Sequence, residues 1–223
     1  MRRAAILLKV NKKTVERRLP YLAKKCRRKN ERLLARFEHK KVQNLQIDDL
    51  ITKENSKLKP LSLTVAVDED TRMILAFDVS QIPAFGHLAK LARQKYGLRK
   101  CEHAKGLERV FEALAPRVAS NVIIKSDEHK KYPYFVRRYF PKGEHLQFKS
   151  ERAHVAGQGE LKKVGFDPLF VVNHTAAMLR ANINRLIRKT WCTTKDPQKL
   201  KCHLEVFIYF YNAFYLKKFA STI

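Results

Sequence analysis

The sequence predicts an α/β fold, a mixed sheet flanked by helices with a small basic helical segment ahead of it. Three observations carry that reading. Hydrophobic periodicity changes from helical to strand-like at Val42. The stretch Asn121-Val122-Ile123-Ile124-Lys125-Ser126-Asp127 is an apolar run ending in a carboxylate. That is the pattern of a buried strand delivering an acid to a sheet edge, where a charge needs water, a partner or a metal. Later in the chain Val172, Ala176, Leu179, Ile183 and Leu186 recur at steps of four and three, the apolar stripe of an amphipathic helix.

Charge narrows the partner. The 223 residues hold 47 Lys and Arg against 21 Asp and Glu, a formal net charge of +26, more than solubility requires and suited to a polyanion. Sixteen of the basic residues lie in positions 1–41 against only Glu16, Glu31 and Glu38. Nucleic acid is therefore favoured over a merely solvated basic surface. No apolar run approaches the roughly 20 residues that span a bilayer, and Ala4 to Leu8 is too short for a signal-peptide core. A cytoplasmic, nucleoid-associated protein is expected. Cys26, Cys101, Cys192 and Cys202 are scattered without a C-x-x-C pair, which argues for reduced thiols and against a zinc ribbon. Cys202-His203 reads as a buried Cys beside a surface His.

Residues 3–19 read as two short helices about a tight turn, a helix-turn-helix-like pattern with Asn11 as cap. It would place Lys12, Lys13, Arg17 and Arg18 near a major groove or its phosphates. Lys9 stands where glycine would turn more easily, and Pro20 is expected to interrupt the second helix. Lys24 to Lys41 continues as a basic helix or linker, so the expected division is a DNA-binding segment over 1–41 and a sheet domain over 42–223.

Strands are expected from Val42 to Ile51, Leu61 to Val67 and Met73 to Val79, the last two joined by the turn Asp68-Glu69-Asp70-Thr71. Along the first, Leu45, Ile47 and Asp49 alternate with Asn44, Gln46 and Asp48, so the adjacent acids face opposite ways. Periodicity does not choose between Asp48 and Asp49. Helices follow over Gly86 to Tyr96 and Ala104 to Val118, with Pro116 ending or kinking the second. After the strand ending at Asp127 come a short helix, Tyr132 to Phe140, and a last strand, His145 to Lys149. Ser150 to Phe170 is polar and glycine-containing and reads as a loop. On the late helix Asn173, Arg180, Asn184 and Arg188 line the stripe beside the apolar one. Finally Phe207, Phe210, Tyr211, Phe214 and Tyr215 are spaced as a core-facing helix.

Three strands, helices, a fourth strand bearing an acid and a late helix form the order expected of an RNase H-like domain. Carboxylates at the first and fourth strands of that fold lie side by side and hold divalent ions for phosphodiester chemistry, with Mg²⁺ suited to their hard oxygens.

At the level of particular segments the chain resembles the DDE-type transposases of small bacterial insertion sequences. The likeness runs from Arg2-Arg3-Ala4-Ala5 through Lys57-Leu58-Lys59-Pro60-Leu61-Ser62 and Ser126-Asp127-Glu128. It continues through Leu179-Arg180-Ala181-Asn182-Ile183-Asn184-Arg185-Leu186 to Arg188-Lys189-Thr190-Trp191-Cys192-Thr193-Thr194-Lys195. The resemblance implies Asp48 and Asp127 as catalytic, metal-binding acids, with Asn173 where most of the family has Glu. It implies two Mg²⁺ or Mn²⁺ ions and Arg180, seven positions or about 10.5 Å along one helix face from Asn173, on DNA phosphate, with Arg188 nearby. Partners would be terminal inverted repeats and target DNA, bound by a homo-oligomer. Relatives commonly carry a zinc-binding segment before the helix-turn-helix, so a truncated copy acting only as a DNA-binding protein is one alternative. An RNase H-like nuclease is the other.

Overall fold

The computed structural model describes residues 2–149, 167–187 and 191–216. Five strands, β1 (Val42–Lys53), β2 (Pro60–Asp68), β3 (Ile74–Gln81), β4 (Val118–Asp127) and β5 (Glu144–Phe148), form one mixed sheet in the order β3-β2-β1-β4-β5. The β1–β2 and β2–β3 pairs are antiparallel, and β1–β4 and β4–β5 are parallel. The β2–β3 turn is closed by Asp68, whose carboxylate accepts from the N–H groups of Asp70 and Thr71 and from the Thr71 hydroxyl. Asp68 is thus a turn former, as an Asx turn requires, whereas Glu69 pairs with Lys125 at 2.8 Å. The parallel β1–β4 pair needs a long crossover. It runs through β2, β3, α4 (Leu88–Tyr96) and α5 (His103–Leu114), which stops before Pro116 as expected.

Helices cover both faces of the sheet. On one, α5 and α6 (Tyr132–Tyr139) pack with Leu45, Ile47, Ala66 and Ile124 through Leu107, Phe111, Phe135 and Val136. On the other, α7 (Phe170–Asn182) and α8 (Pro197–Phe210) cover Leu50, Leu63, Val65 and Val67. All nine residues of β2 are buried, the expected state of a strand enclosed on both sides. The edge strand β3 is fastened by Asp78, which pairs with Arg109 of α5 at 2.7 Å and with Lys201 of α8 at 2.8 Å. Burial pushes the Asp78 carboxyl up, but these two cations outweigh it and hold the pKa below its usual value.

Gly106 lets α5 approach β3. A Cβ there would lie 1.9 Å from Ser80 Oγ and 2.9 Å from Asp78 Oδ2. Ser80 can rotate away only by giving up its 2.9 Å hydrogen bond to Asp78. Alanine gains about 1 kcal/mol of helix propensity, against about 1–3 kcal/mol for overpacking plus the lost bond. Gly106→Ala should therefore destabilise by about 2 kcal/mol, seen as a lower urea midpoint with unchanged slope; an unchanged midpoint would show the contact is slack.

The amino-terminal segment differs from expectation. After α1 (Arg2–Leu7) and a turn in which Lys9 adopts φ 50, Asn11 caps α2 by accepting from Lys13 N–H at 2.8 Å. But α2 is one helix, Lys12–Leu34, running through Pro20. Its buried stripe, Leu19, Ala23, Cys26, Asn30 and Leu34, supplies packing that offsets the single backbone bond Pro20 cannot make. The stripe lies against α8, with Arg27 on Glu205 at 2.6 Å and Glu31 on the buried Arg117. Leu34, and Phe37 of α3 (Arg36–His39), enter the main core. Residues 1–41 are thus built onto the sheet, and the step at Val42 is a change of element rather than of packing unit.

Three further differences have local causes. The late helix ends at Asn182; Ile183 is extended and Asn184–Leu186 form a 3₁₀ turn, so Ile183 and Leu186 reach the core by a bend rather than along one stripe. Arg188 lies outside the described residues, as do residues 150–166 of the stretch expected as a loop from Ser150 to Phe170. Beyond α8 a π turn, Tyr211–Tyr215, shifts the aromatic register. Tyr211 is buried while Phe210 and Phe214 are exposed. His203, expected at the surface, has its Nε2 buried; burial and the Arg185 charge bring its pKa down to about 4.

Candidate functional site

The acids lie in the middle of β1 and at the carboxyl end of β4. In the parallel β1–β4 ladder Gln46 pairs with Lys125 and Ile47 with Ser126. The ladder ends at Ile47 and Ser126; by alternation Asp48 and Asp127, one residue further on each strand, belong to the face that carries Gln46. Gln46 joins this face to α7: its Oε1 accepts from Val172 N–H at 3.0 Å and its Nε2 donates to Pro168 O at 3.1 Å. Asn173 follows Val172, and α7 therefore starts directly over β1, two residues before Asp48.

Asn173 is not a helix cap. It lies within α7, after the cap residue Leu169, and its Nδ2 donates to Asp167 Oδ2 at 2.9 Å. The other oxygen of Asp167 accepts from Leu169 N–H at 2.9 Å. Asp167 thus occupies the amide nitrogen and leaves the Asn173 oxygen for another partner. Arg180, later on α7, is half-buried.

Asp127 closes a turn by accepting from His129 N–H at 3.1 Å, but α6 begins later and has Lys131 at its cap. Burial raises the Asp127 carboxyl above its usual range; the His129 bond opposes this, and the charges of Asp49 and Glu128 add to it. Tyr132 is wholly buried beneath. Its phenol is pushed well above the ordinary value by burial and then by the charges of Asp49, Asp48 and Asp127.

Asp49 projects to the opposite face of β1. Its Oδ1 accepts from Ser62 at 2.8 Å and from Thr64, and its Oδ2 lies 2.8 Å from His103 Nε2 at the start of α5. Burial pushes this carboxyl up, yet His103, Thr64 and Ser62 together hold it below its usual value. The His129 ring stands edge-on to His103, 4.9 Å between centroids. Burial lowers its pKa. Sequence reading missed Gln46, His103, His129 and Asp167. Only Asp127-Glu128-His129 carried a local hint, a His two residues after a strand-end acid; the others meet across long sequence separations.

The basic residues of the amino-terminal segment are at the surface. Lys12, Lys13, Arg17 and Arg18 all project from the first turns of α2 into solvent, with Lys12 3.3 Å from Glu16. Arg2, Arg3, Arg18, Arg185, Lys195 and Lys199 line a groove between α1–α2 and the chain leading into α8, beside a fully exposed Trp191.

No protein-family model matches the chain, and no curated protein matches it. None of the described helices is long and apolar enough to cross a membrane.

Proposed function

We propose that the chain is an insertion-sequence transposase with an RNase H-like core, cutting and joining DNA with Mg²⁺ held by Asp48, Asp127 and Asn173. The observation that carries this reading is the β1–β4 register, which ends one residue short of Asp48 and Asp127 and sets both on one face, while Gln46 ties the start of α7 to the same strand. The strand order β3-β2-β1-β4-β5, with its antiparallel and parallel halves, is compatible with that fold. The donor set fits the ion. It consists of two carboxylates and an amide oxygen, hard ligands suited to Mg²⁺, in a place where burial disfavours the charged form of Asp127 and a cation would favour it.

When bound, the metal would activate the attacking hydroxyl or water and stabilise the leaving oxygen of a phosphodiester. The protein's own groups do the rest. Asp48 and Asp127 supply two negative charges where three acids would supply three, so DNA phosphate is needed to complete the site. Asp167 holds the Asn173 amide, and Arg180, about 10.5 Å along α7, meets a phosphate of the bound strand. Metal and DNA binding are consequently coupled. A labelled inverted-repeat end incubated with target plasmid and Mg²⁺ should yield joined products. Cleaved ends never joined to target would instead indicate a nuclease.

DNA affinity should fall steeply with salt, since each neutralised phosphate contributes about −0.9 to the slope of log affinity against log salt. Because α2 is packed on the sheet domain, deletion of residues 1–41 would unfold the protein, and surface substitution is the clean test. Replacing Lys12, Lys13, Arg17 and Arg18 together with Ala should flatten the slope by about 3. An unchanged slope would move the DNA path elsewhere.

A further inference from the structure

The face of β1 opposite the proposed Mg²⁺ ligands carries a different set of donors. Asp49, His103 and His129 each present one ligand atom, and the three atoms lie within 4.8 Å of one another. Asp49 comes from the middle sheet strand, His103 from the first residue of α5, and His129 from the turn between β4 and α6. We propose that these three side chains form a second metal site, for a first-row transition ion of the Zn²⁺ class, with ligands distinct from those of the Mg²⁺ site and with no support drawn from the transposase reading.

The geometry between Asp49 and His103 is the main argument. Asp49 Oδ2 and His103 Nε2 are 2.8 Å apart, on side chains only 10% and 6% exposed, so two of the three ligand atoms already meet in a buried pair. Tetrahedral ligands at about 2.1 Å from one ion are about 3.4 Å apart, so the pair need open by only about 0.6 Å to admit it. The other Asp49 oxygen is occupied by Ser62 and Thr64, which fixes the carboxylate as a ligating group needs.

Donor chemistry selects the ion. Two imidazoles and a carboxylate suit Zn²⁺ and its neighbours, whereas Mg²⁺ and Ca²⁺ prefer oxygen alone. His103 and Asp49 form the closed side, and Tyr132, 5.3 Å from the His129 ring, closes the floor. His129 is only half-buried, so its side is the route of entry and leaves room for a solvent ligand. An ion here would join β1, α5 and the β4–α6 turn, and would fix the His129 backbone N–H that holds Asp127.

The test is a Co²⁺ titration of the chelator-treated, tag-free protein, followed by its visible absorption and by displacement with Zn²⁺. One equivalent should bind with an imidazole-rich spectrum, and Zn²⁺ should raise the melting temperature. His129→Ala, which removes the half-exposed ligand and leaves the buried pair in place, should weaken binding by about 100-fold and remove the Zn²⁺ shift. Asn173→Ala should change neither, and millimolar Mg²⁺ should not displace the Co²⁺. Absence of a bound equivalent, or binding unchanged by His129→Ala, overturns the site. Loss in Asn173→Ala but not in His129→Ala also overturns it, by placing the ion with Asp48 and Asp127.

Discussion

On the proposed function, Asp48→Ala should lower Mg²⁺-dependent strand cleavage by about 1,000-fold or more, the loss of about 4 kcal/mol of stabilisation from one anionic metal ligand, while DNA affinity should stay within about twofold. The contrast is with its neighbour. Asp49 points to the other face, where Ser62, Thr64 and His103 surround it. Removing one member of such a buried set costs about 3 kcal/mol. Asp49→Ala should therefore lower the urea midpoint, with cleavage per folded molecule largely kept. Measuring cleavage and unfolding on both variants separates the two roles. If Asp49→Ala lost the chemistry and Asp48→Ala only the stability, the strand faces would be assigned the wrong way round.

Asn212→Leu should be the most damaging single change to the fold, at about 3–5 kcal/mol. The Asn212 side chain is buried in the π turn after α8. Its Oδ1 accepts from Ile74 N–H at 3.0 Å, and its Nδ2 donates to Ile74 O and to Asn30 Oδ1, each at 2.9 Å. One amide thus pairs with the first residue of the edge strand β3 and joins it to α2. Leucine fills the volume but leaves the N–H and C=O of Ile74 and the Asn30 oxygen buried without partners, at about 1–3 kcal/mol for each. Urea denaturation should show a lower midpoint at unchanged slope. A shift below about 1 kcal/mol would mean the turn relaxes to admit water.

The sheet was legible because its strands follow local rules. Alternation in Val42 to Ile51 and the apolar run before Asp127 each fix a strand and its faces, and the acids of Asp68 to Thr71 mark the hairpin. The amino-terminal segment was misjudged for an equally physical reason. Pro20 argues for a break only by the local backbone rule, whereas the buried stripe from Leu19 to Leu34 acts through α8, distant in sequence. The π turn at Tyr211 likewise shifts the aromatic face by one residue, which a 3.6-residue period cannot anticipate. In the candidate site, alternation alone placed Asp48 and Asp49 on opposite faces. It could not say which face meets α7; that follows from the Gln46 bonds to Pro168 and Val172. Nor did it show that His103 and His129 converge on Asp49, since neither is near it in the chain.

If Asp127 and its neighbours hold a metal that cuts DNA, strand cleavage should follow a Mg²⁺ titration. Wild-type protein and Asp127→Ala, matched for fold by circular dichroism and for DNA affinity, would be compared on a labelled inverted-repeat end. Saturable, Mg²⁺-dependent cleavage by the wild type and none by Asp127→Ala is the expected result. Equal cleavage by both proteins, or none by either across the titration, would contradict it and leave a DNA-binding protein without this chemistry.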